Sequence, residues 1–177
     1  YLSNSSTSNK ELFSLPGPKG NVIKQISNSL FAVGYENGKI NIFSMIQIVK
    51  ELTHGTSIND MKISNENKLI STAENSDEIK LWDVNTWNNF MNISLDDVIA
   101  RKIIVIEEPE YLIVSLNDYK IAVYDLTNNG TLLKFLIGHG DNIKDLEFIQ
   151  CDYRLLSVSE DYTLKVWNVF DSSTAPI

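Results

Sequence analysis

The chain has 177 residues, 43% apolar and 21% charged, which is an ordinary globular composition with enough length for one sizeable core. Its net charge is −8, with 8 basic against 9 acidic residues in positions 1–88 and 7 against 14 in the rest. Without a Lys/Arg cluster it lacks the cationic surface that direct nucleic-acid or anionic-membrane binding requires, and no apolar run approaches the roughly 18 residues of a spanning helix.

In chain order, residues 1–10 are small and polar and read as a linker. Short runs rich in Ile, Val and aromatics then alternate with Asn, Gly, Asp and Ser clusters, the pattern of antiparallel strands joined by tight turns. A first strand is predicted at 11–15. Four sets follow: 22–27, 30–35, 39–44 and 48–53; 58–63, 68–73, 78–83 and 89–94; 99–106, 111–116, 120–125 and 131–137; 143–149, 153–159 and 163–168. Residues 171–177 form a tail or a loop toward further elements. No segment sustains a helical period. The unbroken apolar run Ile103–Ile106 suits an inner strand covered on both faces. Asn37-Gly38 predicts a two-residue hairpin turn with positive φ at both positions. Asp118-Tyr119 and Asp161-Tyr162 occupy the matching places, where Asp can bond its own backbone two residues on.

The third strand of each set repeats: Lys39-Ile40-Asn41-Ile42-Phe43-Ser44, Glu78-Ile79-Lys80-Leu81-Trp82-Asp83, Lys120-Ile121-Ala122-Val123-Tyr124-Asp125 and Thr163-Leu164-Lys165-Val166-Trp167-Asn168. The aromatics Phe43, Trp82, Tyr124 and Trp167 stand 39, 42 and 43 positions apart. A period near 40 closed by an aromatic marks a repeat architecture, and four-stranded sheets repeating radially are propeller blades. His54 precedes Trp82-Asp83 by 28 positions, and His139, after Gly138, precedes Trp167-Asn168 by the same 28.

With those residues in view, the chain resembles the WD-repeat β-propeller family over roughly 11–170, in approximate repeats 15–47, 48–87, 88–129 and 130–170. The resemblance implies an all-β propeller of about four blades, part of a larger, seven-bladed ring. It also implies a hydrogen-bonded tetrad of His, Ser/Thr, Asp and Trp. The fourth repeat supplies His139, Ser157, Asp161 and Trp167. The second supplies His54, Ser71, Asn75 and Trp82, with Asp77 as the rival to Asn75. The third keeps Asp118 and Tyr124, and the first only Asn37 and Phe43, with Lys19 near the His place. In this family the residue before the tetrad Asp tends to face the central opening. Those positions are Glu36, Glu74, Asn117 and Glu160, three of them acidic, and their fields would add toward a basic partner segment.

Catalysis is the weaker expectation. Ser157, His139 and Asp161 suggest a triad, but Ser157 lies mid-strand among apolar neighbours and no Gly-x-Ser-x-Gly elbow exists. His54, His139 and Cys151 are too few and scattered to hold a metal. Asp96-Asp97 and Glu107-Glu108 read as solvated loop carboxylates rather than a glycosidase pair. Gly130, Gly138 and Gly140 lack the strand–loop–helix context of a nucleotide loop. Trp87 reads as packing, with exposure at a contact site the other option. The expected function is therefore a cofactor-free, non-catalytic scaffold that docks protein partners on its turn face. The alternatives are a structural subunit whose blades complete a propeller with another chain, and an enzymatic or small-molecule-binding propeller. The single Cys151 excludes an internal disulfide and fits an intracellular setting, cytoplasm or nucleus. Glycosylation patterns at Asn4, Asn92 and Asn129 are what 19 asparagines generate by chance. The start at Tyr1 fits an excerpt of a longer chain. Four repeats can close on themselves through strand 11–15, continue into further blades, or assemble with another chain.

Overall fold

A computed structural model describes residues 17–44 and 47–177; the predicted linker 1–10 and strand 11–15 lie outside them. No helix occurs among the described residues. Within those residues fifteen strands form four antiparallel sheets. The first sheet holds β1 (Gly20–Gln25), β2 (Leu30–Tyr35), β3 (Lys39–Ser44) and β4 (Gln47–Thr53). The second holds β5 (Ile58–Ser64), β6 (Lys68–Ala73), β7 (Glu78–Asp83) and β8 (Asn89–Ser94). The third holds β9 (Ala100–Glu107), β10 (Glu110–Leu116), β11 (Ile121–Asp125) and β12 (Thr131–Leu136). The fourth holds, among the described residues, the three strands β13 (Ile143–Ile149), β14 (Arg154–Ser159) and β15 (Leu164–Asn168).

Each sheet is an up-and-down meander in sequence order, as short turns between consecutive strands dictate. The register repeats from sheet to sheet. The closing aromatic of the third strand stands opposite an apolar residue of the second: Phe31↔Phe43, Leu69↔Trp82, Leu112↔Tyr124 and Leu155↔Trp167. Every first strand carries a bulge at its second residue, which skips Asn21, Asn59, Arg101 and Lys144 out of the ladder. A bulge bends the strand and re-aims the extra side chain.

The first strands lie side by side, β1 by β5, β5 by β9 and β9 by β13. They make the inner wall of an arc of blades. Three apolar clusters fill the three seams between neighbouring blades. Among the described residues no cluster and no strand packing of that kind joins the fourth blade to the first. Gly34 marks a close approach within the first seam, where an added Cβ would meet Ile58 Cγ2 at 2.7 Å. Ile103–Ile106 has no exposed residue, as its unbroken apolarity requires. Trp87 is half-buried and packs on the first seam's core.

The hairpin turns differ from the two-residue form expected at Asn37-Gly38. Only Gly38 takes positive φ (78°), and its N–H donates to Tyr35 O at 3.1 Å. Tyr119 (φ 69°) and Tyr162 (φ 65°) repeat this geometry, donating to Leu116 O and Ser159 O. The loop is a three-residue turn whose last residue is left-handed, so the glycine or its stand-in is needed at one position rather than two. The Asx contacts form as expected, with Asn37, Asp118 and Asp161 each accepting an N–H two residues on.

Candidate functional site

The fourth blade brings its four tetrad residues together. Ser157, in the middle strand, is 1% exposed and lies between the first-strand approach and the third strand. Trp167 Nε1–H donates to Ser157 Oγ at 2.8 Å, and Ser157 Oγ meets His139 Nε2 at 2.7 Å. His139 Nδ1 meets Asp161 Oδ2 at 2.7 Å. A carboxylate only accepts, so Nδ1 carries the proton and Nε2 accepts from the Ser157 hydroxyl. The chain Trp167 → Ser157 → His139 → Asp161 then satisfies every buried donor in turn. Asp161 also accepts from Gly140 N–H, Thr163 N–H and Thr163 Oγ1. Desolvation raises the Asp161 pKa, but the Thr163 hydroxyl, the Gly140 N–H and the His139 ring outweigh it and hold the carboxyl well below the usual carboxylate range.

The second blade reaches the same end with a different ring orientation. Trp82 Nε1–H donates to Ser71 Oγ at 2.9 Å, and Ser71 Oγ meets His54 Nδ1 at 2.8 Å. His54 Nε2 faces Glu78 O at 3.2 Å, so Nε2 carries the proton. Among the described residues neither Asn75 nor Asp77 bonds His54. The Glu78 carbonyl takes the acceptor role, and Asn75 instead holds the left-handed turn position (φ 57°). The turn is one residue longer than its counterparts, which carries Asn75 away from the ring. Burial and the Lys80 charge outweigh the hydrogen bond to the Glu78 carbonyl, which raises the His54 pKa, and bring it down to about 4, so this imidazole is neutral near pH 7.

These contacts leave neither tetrad serine free as a nucleophile. The Ser157 and Ser71 hydroxyls are engaged as donor and acceptor at once and are 1% and 0% exposed. Among the described residues no group of three or more His, Cys, Asp or Glu could hold a metal ion.

The turn positions are organised by one repeated backbone bond. Glu36, Glu74, Asn117 and Glu160 donate their N–H to the carbonyls of Lys19, Ser57, Ile99 and Asn142, each just before the first strand of the same blade. All four turns therefore sit on one face of the arc, beside the bulged residues of the inner wall. Their side chains diverge. Glu36 and Glu74 are exposed and flank a shallow depression with Asn21, Asn59 and Lys19. Glu160 pairs with Lys144 at 2.7 Å, and Asn117 Oδ1 is used by Ile99 N–H. Arg101, Lys102 and Lys144 line the neighbouring depression on the third and fourth blades. Tyr162 is fully exposed and Tyr119 is 40% exposed, both at left-handed turn positions.

Sequence reasoning missed the polar ties between blades. Asp60 Oδ2 accepts Ile103 N–H of the next blade at 3.1 Å, Asn59 reaches Ala100 O, and Asn21 reaches Ile58 O. Lys68 pairs with the 3%-exposed Glu110 between the second and third blades. Each partner lies close to one repeat away, and that spacing is the signal that identifies them.

The WD domain, G-beta repeat model matches residues 46–83 and 130–168, the two stretches that close on Trp82-Asp83 and Trp167-Asn168. WD repeat and SOCS box-containing protein 1 of Takifugu rubripes is 29% identical over 102 residues, 57% of this chain and 24% of that protein. WD repeat-containing protein 89 homolog of Dictyostelium discoideum is 42% identical over 60 residues, 34% of this chain and 16% of that protein. The chain thus spans a quarter or less of either relative's length. Among solved structures, the computationally designed Ika4 protein superposes with TM-score 0.78 at 21% identity, over 92% of this chain and 99% of that one. The designed Ika8 protein superposes with TM-score 0.73 at 20% identity, over 85% of this chain and 46% of that one.

Proposed function

We propose that this chain, a WD-repeat protein whose four sheets are propeller blades, is a non-catalytic platform that docks a protein partner across its turn face. The observation that carries this reading is Tyr162. A tyrosine in the left-handed region costs about 1–2 kcal/mol relative to glycine, and this one covers no part of the core, being fully exposed. An aromatic held rigidly outward on a turn is the side-chain type that dominates interface energetics. On the same face, over the first and second blades, Glu36 and Glu74 add an acidic patch suited to Arg or Lys of a partner segment. Glu160 contributes less, because Lys144 already balances it. The tetrads serve as pins that keep the turns at fixed spacing, and neither frees a group for chemistry.

The test uses an Arg/Lys-rich peptide as probe, with binding followed by fluorescence anisotropy at low salt. The wild-type chain binds, and Glu36→Lys with Glu74→Lys binds at least tenfold more weakly. Equal binding by both would refute the acidic-patch reading. A second reading, a structural subunit whose blades complete a propeller with another chain, is favoured by the exposure of Ile23 on the first blade and Leu164 on the fourth.

A further inference from the structure

The seams between blades repeat position by position, and both ends of the arc carry half of one. On the face turned toward the next blade, the second residue of the third-strand motif is Ile40, Ile79 and Ile121, each 0% exposed. The fourth blade places Leu164 there, and it is 60% exposed. Leu156 of the fourth blade likewise repeats the fully buried Ile70 and Ile113 of the second and third. On the opposite face, the fourth residue of the first strand is Met61 (0%), Ile103 (1%) and Leu146 (4%), each buried against the preceding blade. The first blade places Ile23 there, 66% exposed.

A polar clamp repeats with the apolar positions. Asp60 follows the bulge of β5; its Oδ1 accepts Met61 N–H at 2.8 Å, and its Oδ2 accepts Ile103 N–H on the next blade. Asp145 follows the bulge of β13, and its Oδ1 accepts Leu146 N–H at 3.0 Å in the same way. Asp145 is exposed, and no donor among the described residues bonds its Oδ2. The residue that an adjoining blade would present to it stands at the position of Ile103, which in β1 is Ile23. The outer edge of β15 is not the free surface, since Ile177 N–H donates to Val166 O at 2.8 Å along it.

We propose that the face of the fourth blade left exposed among the described residues docks on the correspondingly exposed face of the first blade of a second copy of this chain. Asp145 Oδ2 then accepts the Ile23 N–H of that copy, and Leu156 and Leu164 cover its Ile23 and Phe31. Both halves of the seam are present on one chain, so the contact is heterologous, and two copies close it twice. The contact sets the four described sheets of one copy beside the four of the other.

Sedimentation velocity of the 177-residue chain at 10–100 µM (about these concentrations, where a micromolar contact is populated) tests this. A discrete dimer of the 20.0 kDa chain is expected. A monomer throughout, or an open-ended series of larger species, overturns it. Leu164→Glu, Asp145→Lys and Ile23→Glu alter exposed side chains, so each retains the wild-type circular dichroism while dimerisation weakens by about 100-fold. Dimers that persist in all three overturn the proposal. A 1:1 mixture of Leu164→Glu and Ile23→Glu chains keeps one intact seam and regains a dimer; no association in the mixture also overturns it, whatever each variant does alone.

Discussion

Ser157→Ala is the sharpest perturbation of the blade pins. The hydroxyl is the only group between Trp167 Nε1, which donates to it at 2.8 Å, and His139 Nε2, to which it donates at 2.7 Å. Trp167 is 0% exposed and the His139 residue 9%, so water reaches neither nitrogen easily. Removing the oxygen leaves one orphaned donor and one orphaned acceptor, each costing about 1–3 kcal/mol. The methyl group of alanine fits the same space, so no cavity term of consequence is added. The expected loss is about 3 kcal/mol, or a fall in Tm of about 6–12 °C for a domain of this size. Urea unfolding at fixed chain concentration measures it, read as a lower midpoint at unchanged slope. A cycle with Trp167→Phe isolates the pair. That substitution removes the orphaned N–H, so the double variant loses less than the sum of the singles by about 1 kcal/mol. If Ser157→Ala costs under 1 kcal/mol, as an exposed serine would, the pin account fails.

Acid lability separates the two histidines. The His54 pKa lies below its unfolded value, so the unfolded chain binds the extra proton, and stability falls as pH drops from 6.5 toward about 4. The interval amounts to about 3 kcal/mol at full protonation, and His54→Gln should abolish that component of a pH–Tm profile. The Asp161 pKa is also depressed, so its contribution is present above about pH 4, the unfolded carboxyl value, and is lost only below it. Lys68→Met strips the partner from Glu110, whose Oε1 is already buried without a bond; denaturation should register a loss of about 3–5 kcal/mol, largely recovered in Lys68→Met with Glu110→Leu. Tyr162→Gly relieves the left-handed strain and should raise stability by up to about 1 kcal/mol while weakening partner capture. A destabilised Tyr162→Gly chain would mean that the tyrosine has a packing role.

The fold was legible because its signal is redundant. The aromatic at Phe43, Trp82, Tyr124 and Trp167 and the two His-to-Trp spacings all report one period, and strand boundaries then follow from the turn clusters within one or two residues. The fourth tetrad was legible because His139, Ser157, Asp161 and Trp167 sit at fixed offsets within one blade. The second was only partly so: one extra turn residue moves Asn75 off the ring, and a backbone carbonyl, which has no side-chain signature, takes its place. Asp60 to Ile103 and Lys68 to Glu110 escaped notice because each pair spans two blades. A single strand pattern does not show which of its charges will be enclosed by the next repeat.

The turn face carries the central claim, and quantitative capture tests it most directly. The wild-type chain and the variant Glu36→Lys, Glu74→Lys, Tyr162→Gly are immobilised side by side, and retained proteins are compared by mass spectrometry, with unfolding curves recorded for both. The platform account predicts partners held by the wild type and lost by an equally stable variant. The same partners retained in the same amounts by both would contradict it.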